Sequence, residues 1–453
     1  MPGSLTLDEL KAAVEAGEID TVITAMTDMQ GRLMGKRFHA KFFIDSGMVE
    51  THGCDYLMAN DLEMNTVQGY ASASWKTGYG DYTFRFDFST MRRIPWQPGT
   101  VLILCDVVYA NGEDVPFSPR AVLKKQIARA EAMGFTPMMA TELEFFLFEN
   151  SFEHHWDSKY RDLVPYTRYN IDYSIFGTSK DEPIMRAIRN GLYGAGITVE
   201  CSKGEADAGQ EEVNILYSDA LDTADNHVIV KNAIKEITAQ HGASVTFMAK
   251  WRQGRAGSSG HIHQSLWKDG SSAFHDKDGE LGMSRIMRSY IAGLLEHAAE
   301  GTYFLAPYVN SYKRFCVGLF APTQIAWGSD NRTAAYRVCG ENTTSVRVEN
   351  RVGGSDINPY LAQAAQLAAG LDGIERGLEL PPAHSGDLYE ATDAPEVPKT
   401  LRDATDLLEG SSFFRKALGD EVVDHYVRNA RWEIEQFDAA VTDFELQHGF
   451  ERA

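Results

Sequence analysis

Residues 141–148 read TELEFFLF, apolar and aromatic except for Glu142 and Glu144, which stand two apart. Successive side chains of a β-strand point to opposite faces, so residues i and i+2 share one. A strand here sends two carboxylates out of one face. One reading is a strand edge facing water, where alternating charge is ordinary. The other is a metal site, since two same-side carboxylates raise each other's pKa unless a cation neutralises them.

Upstream, FSPRAVLKKQIARAEAMGF (117–135) reads as a helix, with Ser118 to cap it, Pro119 in the first turn and Gly134 to end it. Before it, GTVLILCDVVYANGEDV (99–115) is a buried strand running into an Asn111-Gly112 turn. Residues 20–40 read as two strands joined at Gln30-Gly31, and 6–18 as a short helix in which Thr6 and Glu9 have capping-box spacing. Residues 47–100 are weakly periodic and rich in Gly, Ser, Thr and Tyr, which predicts one long loop, functional or disordered. Downstream, TPMMATELEFFLF (136–148), EEVNILYS (211–218), SVTFMAKW (244–251) and GHIHQSLW (260–267) predict strands; 219–241 and 283–299 predict helices. The last hundred residues are mainly helical, with a Pro- and acid-rich break at 381–398. The expected fold class is α+β, with a small β-rich N-terminal domain over residues 1–112 and one large α+β domain over residues 113–453.

At 453 residues the chain exceeds one compact core, and its net charge of −21 argues against nucleic acid or an anionic membrane as partner. No apolar run approaches the roughly 18 residues of a membrane span, and the acidic, amphipathic N-terminus does not read as a signal peptide. Cys54, Cys105, Cys201, Cys316 and Cys339 are scattered without CxxC spacing, which predicts free thiols in a reducing cytoplasm rather than zinc–thiolate sites.

Three further segments carry chemistry. KGEADAGQEEVNIL (203–216) holds Glu205, Asp207, Glu211 and Glu212 around a Gly-containing turn. RAGSSGHIHQSL (255–266) is a Gly/Ser loop whose backbone N–H groups suit an anion, running into a strand with His261 and His263 on one face. Residues 311–351 hold six basic side chains, Lys313, Arg314, Arg332, Arg337, Arg347 and Arg351, against three acidic ones, Asp330, Glu341 and Glu349. Taken singly, each segment is also what a solvated surface offers. Together they predict metal-assisted ATP phosphoryl transfer to a carboxylate: hard cations take oxygen ligands and bridge phosphates, and guanidinium forks bind oxyanions. Neither a Walker GxxxxGK[ST] motif nor a protein-kinase signature is present.

In order along the chain, TELEFFLF, EADAGQEE, GSSGHIHQSL, NSYKRF, NRTAAYRV and VRVENRVGGSDINPYLAQAAQLAAGLDGI resemble segments of the glutamine synthetase family, from about residue 20 to residue 380. The resemblance implies a β-grasp-like N-terminal domain and a catalytic domain with a curved antiparallel sheet and flanking helices. It implies two or three Mg2+ or Mn2+ ions per site, with Glu144, Glu205 and Glu212 at one and Glu142, His261 and Glu349 at another. His263 and Ser265 match positions near ATP, Arg332 and Arg337 match phosphate-binding arginines, and Arg314 and Arg351, beside the Gly257 backbone, match residues that hold L-glutamate. ATP would phosphorylate the γ-carboxylate, and a nitrogen nucleophile would then displace phosphate. A homo-oligomer is implied, a dodecamer of stacked rings, with the neighbour's N-terminal domain completing each site. Asp81 matches a catalytic loop aspartate of that domain.

Two departures bear on the nucleophile. Where ammonia-using relatives carry an acid after the SYKRL-type segment, this chain has Phe320; where they carry an acidic loop before a tryptophan, it has Gln68 or Gly69 ahead of Trp75. A phenyl ring cannot deprotonate ammonium, but it offers an alkylammonium a cation–π wall of roughly 0.5–2 kcal/mol. The expectation is a γ-glutamylamide synthetase using a small primary amine, methylamine first, with an ammonia-using glutamine synthetase or a polyamine or ethanolamine ligase as alternatives. Tyr389, in GDLYEATD, loosely resembles an adenylylated tyrosine of some bacterial relatives but lacks its flanking residues and reads as an ordinary loop tyrosine.

Overall fold

The computed structural model describes residues 3–453. Its first helix, Leu7–Glu15, opens with the expected capping box: Thr6 Oγ1 accepts from the Glu9 amide at 3.3 Å and Glu9 accepts from the Thr6 amide at 2.7 Å. Five strands follow: β1 Thr21–Thr27, β2 Leu33–His39, β3 Glu50–Cys54, β4 Asp81–Arg93 and β5 Thr100–Val108. They form one sheet in the order β2-β1-β5-β4-β3. The β1–β5 pair is parallel and the other pairs are antiparallel. Every residue of β5 is buried, as a central strand covered on both faces requires.

Residues 47–100 are not one loop. They contain β3 and the thirteen-residue β4, leaving an irregular segment from about 59 to 80. In β4 Tyr82, Thr83, Phe84 and Phe86 are buried and Asp81 and Arg85 exposed, before the pairing register shifts between Asp87 and Arg92. The adjoining Gly-, Ser- and Tyr-rich composition hides that short pattern from a window average.

The second sheet has ten strands: β6 Thr136–Phe148, β7 Val199–Gly204, β8 Gln210–Ile215, β9 Ser218–Asp219, β10 Ser244–Thr246, β11 Ile262–Lys268, β12 Ser271–Ser272, β13 Trp327–Ser329, β14 Tyr336–Cys339 and β15 Arg347–Asn350. Its main path runs β13-β14-β15-β11-β6-β8-β7. β11 pairs with residues 136–141 of β6, whereas β8 pairs with residues 142–146. The strand therefore changes its ladder neighbour where its carboxylates begin. The expected strand at 244–251 is only Ser244–Thr246, and two elements appear that were not expected, β7 and the helix Glu182–Gly194, whose buried Ile184, Met185, Ile188 and Leu192 recur at helical spacing. The helix expected at 283–299 is two, Arg285–Glu296 and Ala298–Leu305. Ser118 sits at the N-cap of Pro119–Ala132 but makes no side-chain capping bond.

Helices back both sheets. Arg285–Glu296 lies close against Pro359–Arg376: a Cβ on Gly293 would stand 2.2 Å from the Ala369 carbonyl, so only glycine permits this approach. One core packs Val22, Phe84 and Val101 of the first sheet against Ile234 of the helix Ala220–Gln240 and Tyr426 of Asp420–Ala439. Another, behind the second sheet, joins Ile262, Leu266, Tyr290, Val348 and Leu367. Arg120 ties the two halves together, meeting Asp106 at 2.6 Å and Asp225 at 2.9 and 3.0 Å. Among the described residues no helix is long and apolar enough to cross a membrane.

Candidate active site

The site grows from the register of β6. Glu144 stands directly across the ladder from Glu212 of β8, and Glu142 across from Asn214. Like charges in facing positions are unfavourable, and here a third carboxylate, Glu205, joins them: one oxygen of each of Glu144, Glu205 and Glu212 lies within 4.8 Å of the others. Burial and then the Glu205 charge push the Glu144 carboxyl up to about 7. Burial, then Glu142 and Glu144, push Glu212 up to about 9. Lys203 contacts Glu205 and lies 3.2 Å from Asp172, a partial counter-charge at the rim. Three converging oxygen donors, two of them hard to ionise together, form a donor set suited to a hard divalent cation.

One turn of pleat away lies the second cluster. Nδ1 of His261 is 2.8 Å from Glu142 and 3.3 Å from Glu349, and Nε2 of His263 is 2.9 Å from Glu142. His263 and Arg337 both face Glu349 across β15, so the three cross the sheet on one rung. Arg337 and Arg351 hold Glu349 at 2.9 and 2.5 Å. Burial acts to raise Glu349, but the His261 and Arg351 charges override it and hold the carboxyl at about 2. Burial likewise opposes ionisation of Glu142, and hydrogen bonds from His261 and His263 hold it well below the usual range. Burial, then the Arg351 charge, bring His261 down to about 4, leaving a neutral imidazole able to ligate. Glu142, His261 and Glu349 offer one ligand atom each within 4.8 Å. The two expected triads are thus brought together as separate clusters fed by one strand.

The Gly/Ser loop does not serve as a free anion cradle. The Ser259 amide donates to Glu144 at 2.7 Å, Ser258 donates to the Ala249 carbonyl and Gly260 to that of Gly353. Its amides fix Glu144 and the loop itself. Gly257 is required by contact: a Cβ there would lie 2.7 Å from both the Ala249 carbonyl and Cγ of Arg314. Arg314, fully buried, spends its guanidinium on the Val352 and Arg351 carbonyls and on Ser259 Oγ, at 2.9, 3.1 and 2.7 Å. It positions the loop and Arg351 as much as it supplies charge.

Three cavities meet at Glu142. The largest, about 710 Å³, is bordered by His263, Ser265, Trp267, Tyr217 and Arg347. A second of about 400 Å³ is lined by both clusters with Gly257, Phe320, Arg332, Arg337 and Arg351. A third of about 310 Å³ lies between them, beside Asp330, Arg337 and Arg347. Lys203 and Tyr173 carry no signal in the sequence, and Arg347 stands there only as one of six basic residues. Lys203 sits over the Tyr173 ring at 4.3 Å in the second cavity, and Arg347 donates to His263 Nδ1 at 3.1 Å. Phe320 is 57% exposed and lines the second cavity with φ of 58°. Tyr389 is in a single turn of helix, Leu388–Glu390, and its hydroxyl is buried rather than displayed on a loop.

Gln68 and Asp81 do not join this group within the chain. Gln68 donates to the Tyr79 hydroxyl at 2.8 Å, and its carbonyl accepts from Arg428. Asp81 begins β4 opposite Cys54, exposed.

Residues 116–448 match the family described as glutamine synthetase, catalytic domain. The chain is 50% identical over 450 residues to a gamma-glutamylethanolamide synthetase of Streptomyces coelicolor, covering 99% of this chain and 96% of the relative. It is 35% identical to a glutamate–isopropylamine ligase of a Pseudomonas species, covering 96% and 95% respectively. A solved structure of ligand-free GmaS superposes with a TM-score of 0.85 at 28% identity, covering 98% of this chain and 100% of that one.

Proposed function

The chain belongs to the glutamine synthetase family and is an ATP-dependent glutamate–amine ligase, and on that premise we propose that its acceptor is a small primary amine, ethanolamine first, giving a γ-glutamylamide, ADP and phosphate. The observation that carries this reading is Phe320 on the wall of the cavity that both carboxylate clusters face. An aromatic wall there favours an ammonium head attached to carbon over bare ammonium. The relatives named for ethanolamide and isopropylamine products support an amine, and none of these findings singles out methylamine, the first choice on sequence alone.

We assign the roles with support from placement. The large cavity beside His263, Ser265 and Trp267 takes the nucleotide, with its phosphates directed at Glu142. Arg332 and Arg337 line the adjoining cavity, where they neutralise the phosphoryl group in transit. Arg351 borders the same space and holds glutamate, with Arg314 behind it fixing the Gly257 backbone. Mg2+ or Mn2+ held by Glu144, Glu205 and Glu212 and by Glu142, His261 and Glu349 would supply Lewis-acid charge to the phosphates and the γ-carboxylate. The γ-carboxylate oxygen attacks the terminal phosphorus, ADP leaves, the amine then attacks the acyl carbon, and phosphate leaves with a proton passed from nitrogen to a base. Asp81 of a neighbouring copy is the proposed base, with residues 1–112 as the N-terminal domain that carries it, residues 113–453 as the catalytic domain, and a dodecamer as the assembly. A cytoplasmic setting suits the five free cysteines.

Phosphate release measured with glutamate, Mg2+, ATP and each of ammonium, methylamine, ethanolamine, isopropylamine and putrescine tests the reading. Ethanolamine is expected to give the highest kcat/KM. Ammonium as clearly the best acceptor overturns the amine assignment.

A further inference from the structure

Away from the catalytic cavities, the short helix Phe152–Asp157 and the turn after it bring His154, His155 and Asp162 together. One atom from each lies within 4.8 Å of the others. Asp162 accepts from His154 Nε2 at 2.6 Å and from the Ser158 hydroxyl. His155 supplies the decisive detail. Its side chain is 3% exposed, and its Nε2 meets the Glu149 carbonyl at 2.9 Å. A carbonyl only accepts, so Nε2 must carry the proton, and Nδ1 of the neutral ring is a bare lone pair. That lone pair is buried without a hydrogen-bond partner and points across 3.7 Å at Asp162 Oδ1, itself an acceptor. An acceptor thus faces an acceptor, which is costly for the buried His155 nitrogen.

We propose that His154, His155 and Asp162 form a metal site separate from the catalytic clusters, taking a single Zn2+ through two imidazole nitrogens and one carboxylate oxygen, with water in the fourth position. Two nitrogens and one oxygen suit a borderline cation such as Zn2+ better than Mg2+. The Glu149 carbonyl on His155 is the outer contact that fixes the tautomer a ligating histidine needs. The ion fastens this turn to the end of β6: Phe148 and Pro165 bridge the same two segments, and the Glu149 amide donates to the Val164 carbonyl. Its role is structural, since none of the three residues lines the cavities around Glu142.

Excess Mg2+ competes for the carboxylate-rich clusters, of which one holds a single imidazole, so the difference in Co2+, a spectroscopic stand-in for Zn2+, between wild type and variant reports the two-histidine site. The full-length wild type is compared with the double variant His154→Gln/Asp162→Asn, both half-exposed positions whose change leaves the buried His155 in place. After gel filtration in excess Mg2+, the wild type is expected to retain one Co2+ per chain more than the variant by elemental analysis, with a visible cobalt absorption band the variant lacks. Added Zn2+ should raise the melting temperature of the wild type alone, and Mg2+-supported ligase activity should be equal in both. Equal cobalt counts in wild type and variant overturn the proposal.

Discussion

Phe320 combines two properties that a packing residue would not need together: it lines the catalytic cavity and holds a φ of 58°. A positive φ on an aromatic residue is strained, and such strain persists where the surroundings over-determine it. Phe320→Glu removes the aromatic wall and returns a carboxylate to the same backbone position. It is expected to lower kcat/KM for ethanolamine by roughly 2- to 30-fold, the kinetic equivalent of losing one cation–π contact, and to improve ammonium. Initial rates with both acceptors check it; loss of both activities in equal measure would assign Phe320 to packing. At this scale the sequence was informative where chemistry needs a fixed residue type: the six residues that the motifs group into two triads come together as two clusters. It did not show that Arg347 donates to His263 or that Lys203 lies over Tyr173, since both contacts depend on which strand or loop lies beside them.

At the scale of elements, strands with a long run of one pattern were legible and those in mixed composition were not. TPMMATELEFFLF predicts β6 to both of its ends, whereas β4 was lost beside a Gly- and Ser-rich segment and β7 carries Cys, Ser and Lys on a partly exposed edge. Side-chain clamps between helices are likewise invisible to periodicity. His297, at the junction of Arg285–Glu296 and Ala298–Leu305, meets Glu300 at 2.6 Å and Asp372 of Pro359–Arg376 at 2.8 Å, and stacks on Phe413 at 3.6 Å between ring centres. Burial alone would lower its pKa; the bonds to Glu300 and Asp372 outweigh that and raise it. A raised folded-state pKa means the charged clamp stabilises fully below the unfolded histidine value of about 6.5, and the contribution fades as pH rises through the higher folded value. His297→Gln is therefore expected to lower the melting temperature at pH 6 by the loss of roughly 1–2 kcal/mol, with a smaller difference at pH 9. Melting curves of both proteins across that range measure it, and a difference independent of pH would show that the charge on His297 contributes nothing.

For the whole molecule, no residue of the first sheet borders the three cavities that meet at Glu142. Their lining comes from residue 138 onward, while Asp81 stands in the first sheet and borders none of them. The segment between β3 and β4 exposes Trp75 by 74% and Leu62 by 49%, apolar surface that a neighbouring copy would cover. Spacing along one sequence cannot reveal a residue acting across a subunit boundary, so the proposal for Asp81 rests on resemblance. If Asp81 acts in the neighbour's site, Asp81→Asn and Arg332→Ala should each be nearly inactive alone yet complement when mixed. In a closed ring where each site takes Asp81 from one subunit and Arg332 from the next, random assortment at equal amounts leaves about a quarter of the sites with both residues intact. Co-expression of the two variants under different affinity tags, followed by purification through both tags in turn, should therefore recover about a quarter of the wild-type ethanolamine-dependent phosphate release. Were both residues supplied by the same chain, every site in the mixed assembly would carry one lesion, and the doubly purified protein would be as inactive as either parent.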